Sequence, residues 1–404
     1  MILKIERGRA GGTVNAPTSK SMAHRLLISA AMCKGRKSVI HGVEPCEDIL
    51  ATIDCLRELG CEIEYDGEVA SVTGVDLSAS KPTRPLNCRE SGSTLRFLIP
   101  IAWLSGNEVR LVGSERLLER SQSVYEQIAK NYGLTFKRDK DGITVKGPLS
   151  AGEYFIDGNI SSQFITGMLF ALSTLSGDSR IIINTRLESE PYVNMTMAAM
   201  AEFGVRVYRE GEACFFLFGG QEYRGGEKTV EGDWSNGAFI DALDLLGGQV
   251  NQLGLRADSL QGDKIYRELF DKLDRGFAEI DISDCPDLGP ILFTIAAAKN
   301  GARFIGTRRL RDKESDRVLA MQLELSKFGA ELSVEENSVT VIPKQLQTPT
   351  ERLCGHNDHR IVMSLAVLST LFGGEIEGCE AVRKSYPQFF ENINRLGILT
   401  YEVN

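Results

Sequence analysis

A chain of 404 residues, 42% hydrophobic and 25% charged, has the composition of a globular protein and exceeds one ordinary core, so two or three domains are expected. A net charge of −9 argues against a nucleic-acid partner, and no apolar run approaches the roughly 20 residues that a membrane span needs. The nine cysteines are scattered without a C-x-x-C pair, and the start of the chain (Lys4, Glu6, Arg7, Arg9) lacks the apolar core of a signal peptide; both features predict a cytoplasmic protein with reduced thiols.

In chain order, the first chemically suggestive stretch is Thr18-Ser19-Lys20-Ser21-Met22-Ala23-His24-Arg25, followed by Leu26, Leu27 and Ile28. Thr18 or Ser19 can cap a helix whose first turn offers free N–H groups, and Ser21 and Arg25, four apart, share a face. The result is a pocket for an anion, or equally a capped helix with two solvated cations. A second helix carries Ile49, Ile53, Leu56 and Leu59 on one face and stops at Gly60. The opening Cys88-Arg89-Glu90-Ser91-Gly92-Ser93-Thr94-Leu95-Arg96 puts Gly92 where a ligand could approach the backbone, although a strand-to-helix turn would look the same. Arg116 and Arg120, again four apart, make a fork for carboxylate or phosphate, or a solvated face.

Asp157-Gly158-Asn159-Ile160-Ser161-Ser162-Gln163-Phe164 brings two hydroxyls and an amide to a helix start, with Arg186, Ser189 and Tyr192 on the loop that follows. Asp287, in Cys285-Pro286-Asp287-Leu288-Gly289-Pro290, reads either as a helix cap or as a general base for a substrate hydroxyl. Arg311-Asp312-Lys313-Glu314-Ser315-Asp316-Arg317 opens another helix, with Lys313 and Arg317 on one face and Glu314 beside them; a surface salt-bridge cluster would also fit. Gly355-His356-Asn357-Asp358-His359-Arg360 and Arg383-Lys384-Ser385-Tyr386 add further cations, and His356 and His359 have no third ligand at a useful spacing, so no metal is expected.

With Asp233-Trp234-Ser235, these openings recur mostly at intervals of roughly 70 residues, too long for a thin solenoid repeat, with a shorter one from the fourth unit to the fifth. Five times a helix pattern ends in Gly and runs into an alternating strand: Leu59-Gly60, Tyr132-Gly133, Phe203-Gly204, Phe328-Gly329 and Leu396-Gly397. Six βαβ-type units predict two domains of three, with the polar openings facing each other across an interdomain cleft that takes a small anion.

The segments SKSMAHR, SGSTLR, DGNISSQF, CPDLGP, KESDR and NDHR stand in that order, and with them the whole chain resembles the EPSP synthase (3-phosphoshikimate 1-carboxyvinyltransferase) family. The resemblance implies an α/β fold: a two-domain inside-out α/β barrel, each domain three βαβαββ units, with the active site in the interdomain cleft. It implies a discontinuous domain of residues 1–18 and 232–404 carrying the C-terminal half-site, and a domain of residues 19–231 carrying the shikimate 3-phosphate half-site. The implied reaction moves the enolpyruvyl group of phosphoenolpyruvate (PEP) to the 5-hydroxyl of shikimate 3-phosphate and releases phosphate, on the way to chorismate and the aromatic amino acids.

By the same resemblance Asp287, Glu314 and Lys20 are the catalytic residues. Lys20, Ser21, Arg25, Ser161, Ser162, Gln163, Ser189, Tyr192, Asp287 and Lys313 hold shikimate 3-phosphate. Lys20, Gly92, Arg120, Gln163, Arg317, Arg360 and Lys384 hold PEP. No metal or organic cofactor is implied, and the family suggests a monomer sensitive to glyphosate, with Gly92 leaving room beside the PEP pocket. Phe97, where many relatives have Pro, and Glu90, where Asn is common, depart from the pattern; neither is expected to touch the chemistry. Two rivals are a UDP-N-acetylglucosamine 1-carboxyvinyltransferase and a non-catalytic phosphometabolite-binding protein. The first generally needs a loop cysteine or aspartate, and none occurs between Gly113 and Ser123; the second would have lost an acid–base residue.

Overall fold

The computed structural model describes residues Met1–Val403, which divide into two compact units: Thr18–Glu231, and Met1–Pro17 together with the chain from Gly232 onward. The recurring element is a small sheet. Glycines 60, 133, 204, 329 and 397, each just past a helix, all have φ between 68° and 105°, the left-handed turn that reverses the chain into the next strand.

Within Thr18–Glu231 there are three four-stranded sheets of one design. Leu86–Asn87 runs parallel to Glu108–Val112, which pairs antiparallel with Gly142–Lys146, itself antiparallel to Thr135–Asp139. Glu153–Ile156, Ser179–Ile183, Cys214–Leu217 and Tyr208–Arg209 repeat this order. So do Glu227–Thr229, Lys37–His41, Val69–Thr73 and Glu62–Tyr65, with the first strand supplied from the far end of the unit. In the first two sheets one helix, Gly92–Ala102 or Ser162–Leu172, links the parallel pair.

The other unit has two such sheets. One joins Ala278–Asp281, Ala302–Ile305, Ser338–Ile342 and Glu331–Val334. The other is closed by the beginning of the chain: Ile2–Ile5 lies between Gly374–Glu377 and Thr400–Glu402. The expected third unit is only partly built, because Gln249–Leu253 pairs with Gly11–Asn15 and no hairpin follows. Instead the chain enters the helix Tyr266–Arg275, whose Tyr266, Leu269, Phe270 and Leu273 are buried and whose remaining residues are charged. That period of 3.6 leaves no alternating segment for a hairpin.

Each unit has its own hydrophobic core. In Thr18–Glu231 the helices Lys20–Ala31, Gly92–Ala102 and Ser162–Leu172 are buried along almost their whole length. Their four non-buried residues are Lys20, Ser21, Ser93 and Gln163, all in the first turn. Helices buried on every side in this way leave only their first turns open to a ligand.

The second and third of these helices touch backbone to backbone at Gly167, where a Cβ would stand 2.5 Å from the Arg96 carbonyl oxygen and also too close to the Tyr125 hydroxyl. Gly167→Ala is therefore expected to push the helices apart and lower stability by roughly 2 kcal/mol or more. Urea unfolding followed by Trp103 emission in a Trp234→Phe background measures it; an unshifted midpoint would refute the close approach.

Candidate active site

One polar cluster lies in each unit. In Thr18–Glu231, Ser19, Ser91 and Ser161 cap the three buried helices, accepting from Met22 N at 3.3 Å, Thr94 N at 3.2 Å and Gln163 N at 3.3 Å. The caps leave other first-turn N–H groups directed outward, with the positive helix ends behind them. Lys20, in the first turn, donates to Asp48 Oδ2 at 2.7 Å; both side chains are largely buried.

Arg25 is buried, and its hydrogen-bond partners are all neutral: Thr196 Oγ1 at 2.8 Å, Ser21 O at 2.6 Å and Tyr192 O at 2.9 Å. Burial without a carboxylate pulls its pKa down to about 10. A guanidinium in this position gains from any anion that reaches it. Phe97 lies beneath it, with the guanidinium 5.3 Å from the ring centroid, so this departure from the family pattern does contact a proposed ligand residue. The same ring meets His24 edge-on. Burial first, then Lys20 and Arg25, keep His24 well below its ordinary pKa and hence neutral.

Gln163 bridges two helix starts, accepting from Arg96 Nη1 at 2.9 Å and donating to Ser93 Oγ at 3.0 Å. Arg120 is buried against Gly92 so closely that a Cβ there would lie 2.5 Å from Nη1. Ser162 is buried; Ser189, also buried, takes φ 58° at the start of the helix Glu190–Glu202. Tyr192 therefore stands in that helix and not on a loop. Arg116 and Arg120 do not share a helix, because Glu115–Glu119 ends between them, and Arg116 lies 3.9 Å from Glu119.

In the other unit the centre is Asp287. It is not a helix cap: Pro286–Leu288 is a single 3-10 turn, and the helix Gly289–Ala298 starts without a side-chain cap. Its carboxylate instead accepts from Lys313 Nζ at 3.2 Å, Arg317 Nη1 at 3.0 Å and Arg360 Nη2 at 3.0 Å. Lys313 and Glu314 precede the helix Arg317–Lys327, which Asp316 caps, so they reach this point from a loop and not from a shared helical face. Burial pulls the Lys313 ammonium down.

Arg317 also meets Asp358 (Nε to Oδ2 at 2.8 Å) and Glu314 (Nη2 to Oε2 at 2.8 Å). Burial opposes its charge, yet Asp358, Glu314 and Asp287 more than offset that and hold the guanidinium raised. Arg360 follows the Asp358 cap of the helix His359–Phe372, and Lys384 donates to Asn357 O at 2.5 Å. Among the described residues no group of three or more His, Cys, Asp or Glu side chains is arranged to hold a metal.

Arg96, Thr196, Asp48 and Asp358 were not singled out from the sequence. Arg96 had a signal: it is the one charge in an otherwise apolar helix, Leu95-Arg96-Phe97-Leu98.

The chain as a whole is similar to known proteins. The family profile described as EPSP synthase (3-phosphoshikimate 1-carboxyvinyltransferase) matches residues 6–393. A 3-phosphoshikimate 1-carboxyvinyltransferase of Clostridium kluyveri is 40% identical over 422 residues, covering 98% of this chain and 97% of that protein. One of Clostridium botulinum is 37% identical over 427 residues, covering 99% and 98%. Among solved structures, EPSP synthase of Acinetobacter baumannii has the same fold at 22% identity (TM-score 0.78, covering 99% and 100%). The enolpyruvyl transferase NikO of Streptomyces tendae shares it at 15% identity (TM-score 0.79, covering 100% and 98%). With a match over nearly its whole length and relatives well above 30% identity, the chain belongs to the EPSP synthase family.

Proposed function

We propose that the chain catalyses the family's reaction, transfer of the enolpyruvyl group of PEP to the 5-hydroxyl of shikimate 3-phosphate with release of phosphate, and that both clusters serve it. Arg25, Ser21, Ser161, Ser162, Gln163, Ser189 and Tyr192 take shikimate 3-phosphate, joined by Lys20 and Lys313. Lys20, Gly92, Arg120, Gln163, Arg317, Arg360 and Lys384 take PEP. Domains of residues 1–18 with 232–404, and 19–231, form the inside-out barrel and contribute one half-site each. The working form is a cytoplasmic monomer; all nine thiols are free.

The observation that carries the reading is the set of three cations on Asp287. A carboxylate so held is a weak base, because each cation favours its ionised form. When the substrates' phosphate and carboxylate groups engage Lys313, Arg317 and Arg360, Asp287 loses its partners and gains basicity as the hydroxyl arrives. Asp287 then removes the hydroxyl proton while the oxygen bonds to C2 of PEP; Glu314, ionised against Arg317 at rest, takes up a solvent proton once Arg317 turns to PEP and passes it to C3, with Lys20 sharing in the transfer. The tetrahedral adduct breaks down by returning a C3 proton and expelling phosphate. The cations also offset the repulsion between two anions brought side by side.

Phosphate should be released only with both substrates present, which separates this reading from a binding protein without turnover. Asp287→Asn is expected to lower kcat by roughly 10²–10⁴-fold. The same variant should bind inorganic phosphate at least as tightly as the unaltered chain, since a competing carboxylate is gone; weaker binding would end the exchange idea. Gly92→Ala should displace Arg120 and raise KM for PEP roughly tenfold or more, with KM for shikimate 3-phosphate much less affected. Equal shifts in both would count against Arg120 as a PEP ligand. Glyphosate should inhibit in competition with PEP, and full activity in millimolar glyphosate would contradict that.

A further inference from the structure

The turn Gly355–Asp358, between the strand Leu353–Cys354 and the helix His359–Phe372, is backbone-strained. Two consecutive non-glycine residues, His356 and Asn357, have φ of 49° and 51°, a region such residues enter rarely and seldom in pairs. The turn has a product. It aims the Asn357 carbonyl at Lys384 Nζ (2.5 Å) and sets Asp358 to accept from Arg317 Nε (2.8 Å), Ser315 Oγ (3.0 Å) and Arg360 N (2.9 Å).

What holds the turn in that shape comes from another helix. Glu324, two turns beyond Arg317 on Arg317–Lys327, is 2% exposed. Its Oε2 accepts from Cys354 N at 2.8 Å and Lys327 Nζ at 2.8 Å, and its Oε1 meets His356 Nε2 at 2.9 Å. Burial alone would raise this carboxyl, but the His356, Lys327 and Cys354 donors more than compensate and leave it below its ordinary value. The ionised carboxylate can only accept, so His356 Nε2 carries the proton. One buried anion thereby fastens the helix that bears Arg317 to the turn that leads into the helix bearing Arg360.

We propose that Glu324 and His356 are positioning residues for the PEP clamp: their contact sets the Asn357–Arg360 turn and, through it, the aim of Lys384, Arg317 and Arg360. The inference rests on the reading of Arg360 and Lys384 as PEP ligands. Neither Glu324 nor His356 belongs to the groups proposed to meet substrate. A buried ion pair is weak support for stability alone and is better explained as fixing a geometry.

The test uses the full chain and His356, whose side chain is 27% exposed, so that its replacement does not hollow the core. His356→Leu removes the donor and is expected to raise KM for PEP about tenfold, with KM for shikimate 3-phosphate within about twofold. His356→Gln keeps an N–H at similar reach and should recover most of the loss. Glu324→Gln should shift KM for PEP in the same direction, and adding His356→Leu to it should produce little more. Arg360→Gln is the control for the underlying reading. If Arg360→Gln leaves KM for PEP unchanged, the clamp assignment fails; if it raises KM while His356→Leu does not, the latch fails. An equal rise for both substrates in His356→Leu, or no recovery in His356→Gln, also overturns the latch.

Discussion

Guanidinium and ammonium groups held out of water need negative partners, and in this molecule the two units meet that need differently. Around Asp287 the partners are built in: Asp287, Glu314 and Asp358 answer Lys313, Arg317 and Arg360 within hydrogen-bond distance. Around Arg25 they are absent, and the cation rests on neutral oxygens and an aromatic face. The first arrangement must exchange partners when an anion arrives; the second has only to accept one. Much of the surrounding architecture exists to keep these groups dry and fixed, including three helices buried along their whole length beyond the first turn.

The backbone plan was largely legible in the residues. Helix-ending glycines and serine caps are local devices, and each of the five glycines adopts the positive φ that its position suggested. The incomplete unit after Gln249–Leu253 was not legible as such, because a missing hairpin leaves no motif behind. The charged stretch from Arg311 to Arg317 was correctly marked as dense. Its helical reading failed because Asp316 outcompetes the earlier residues as a cap, satisfying Val318 N at 3.1 Å and Leu319 N at 3.0 Å.

Long-range pairing was the least readable part. Nothing near Asp287 in the chain announces Arg360, 73 positions away, and Lys20 gives no hint of Asp48. Asp287 itself fitted a cap as well as a base until its three cations were located. Glu324 stands in no segment that the sequence marks; its burial and its three donors are visible only in the folded chain.

The strand Ile2–Ile5 pairs Leu3 with Glu402 on one side and with Ile376 on the other. An inner strand of that sheet thus stands far ahead of both its neighbours in the chain, with all of Thr18–Glu231 between them. Until Gly374–Glu377 and Thr400–Glu402 have been made, this strand has no partner on either edge, and Ile5, wholly buried in the folded chain, must wait in the open. The unit Thr18–Glu231 has no such debt to the end of the chain. Biosynthesis should therefore complete the middle of this polypeptide before either of its flanks.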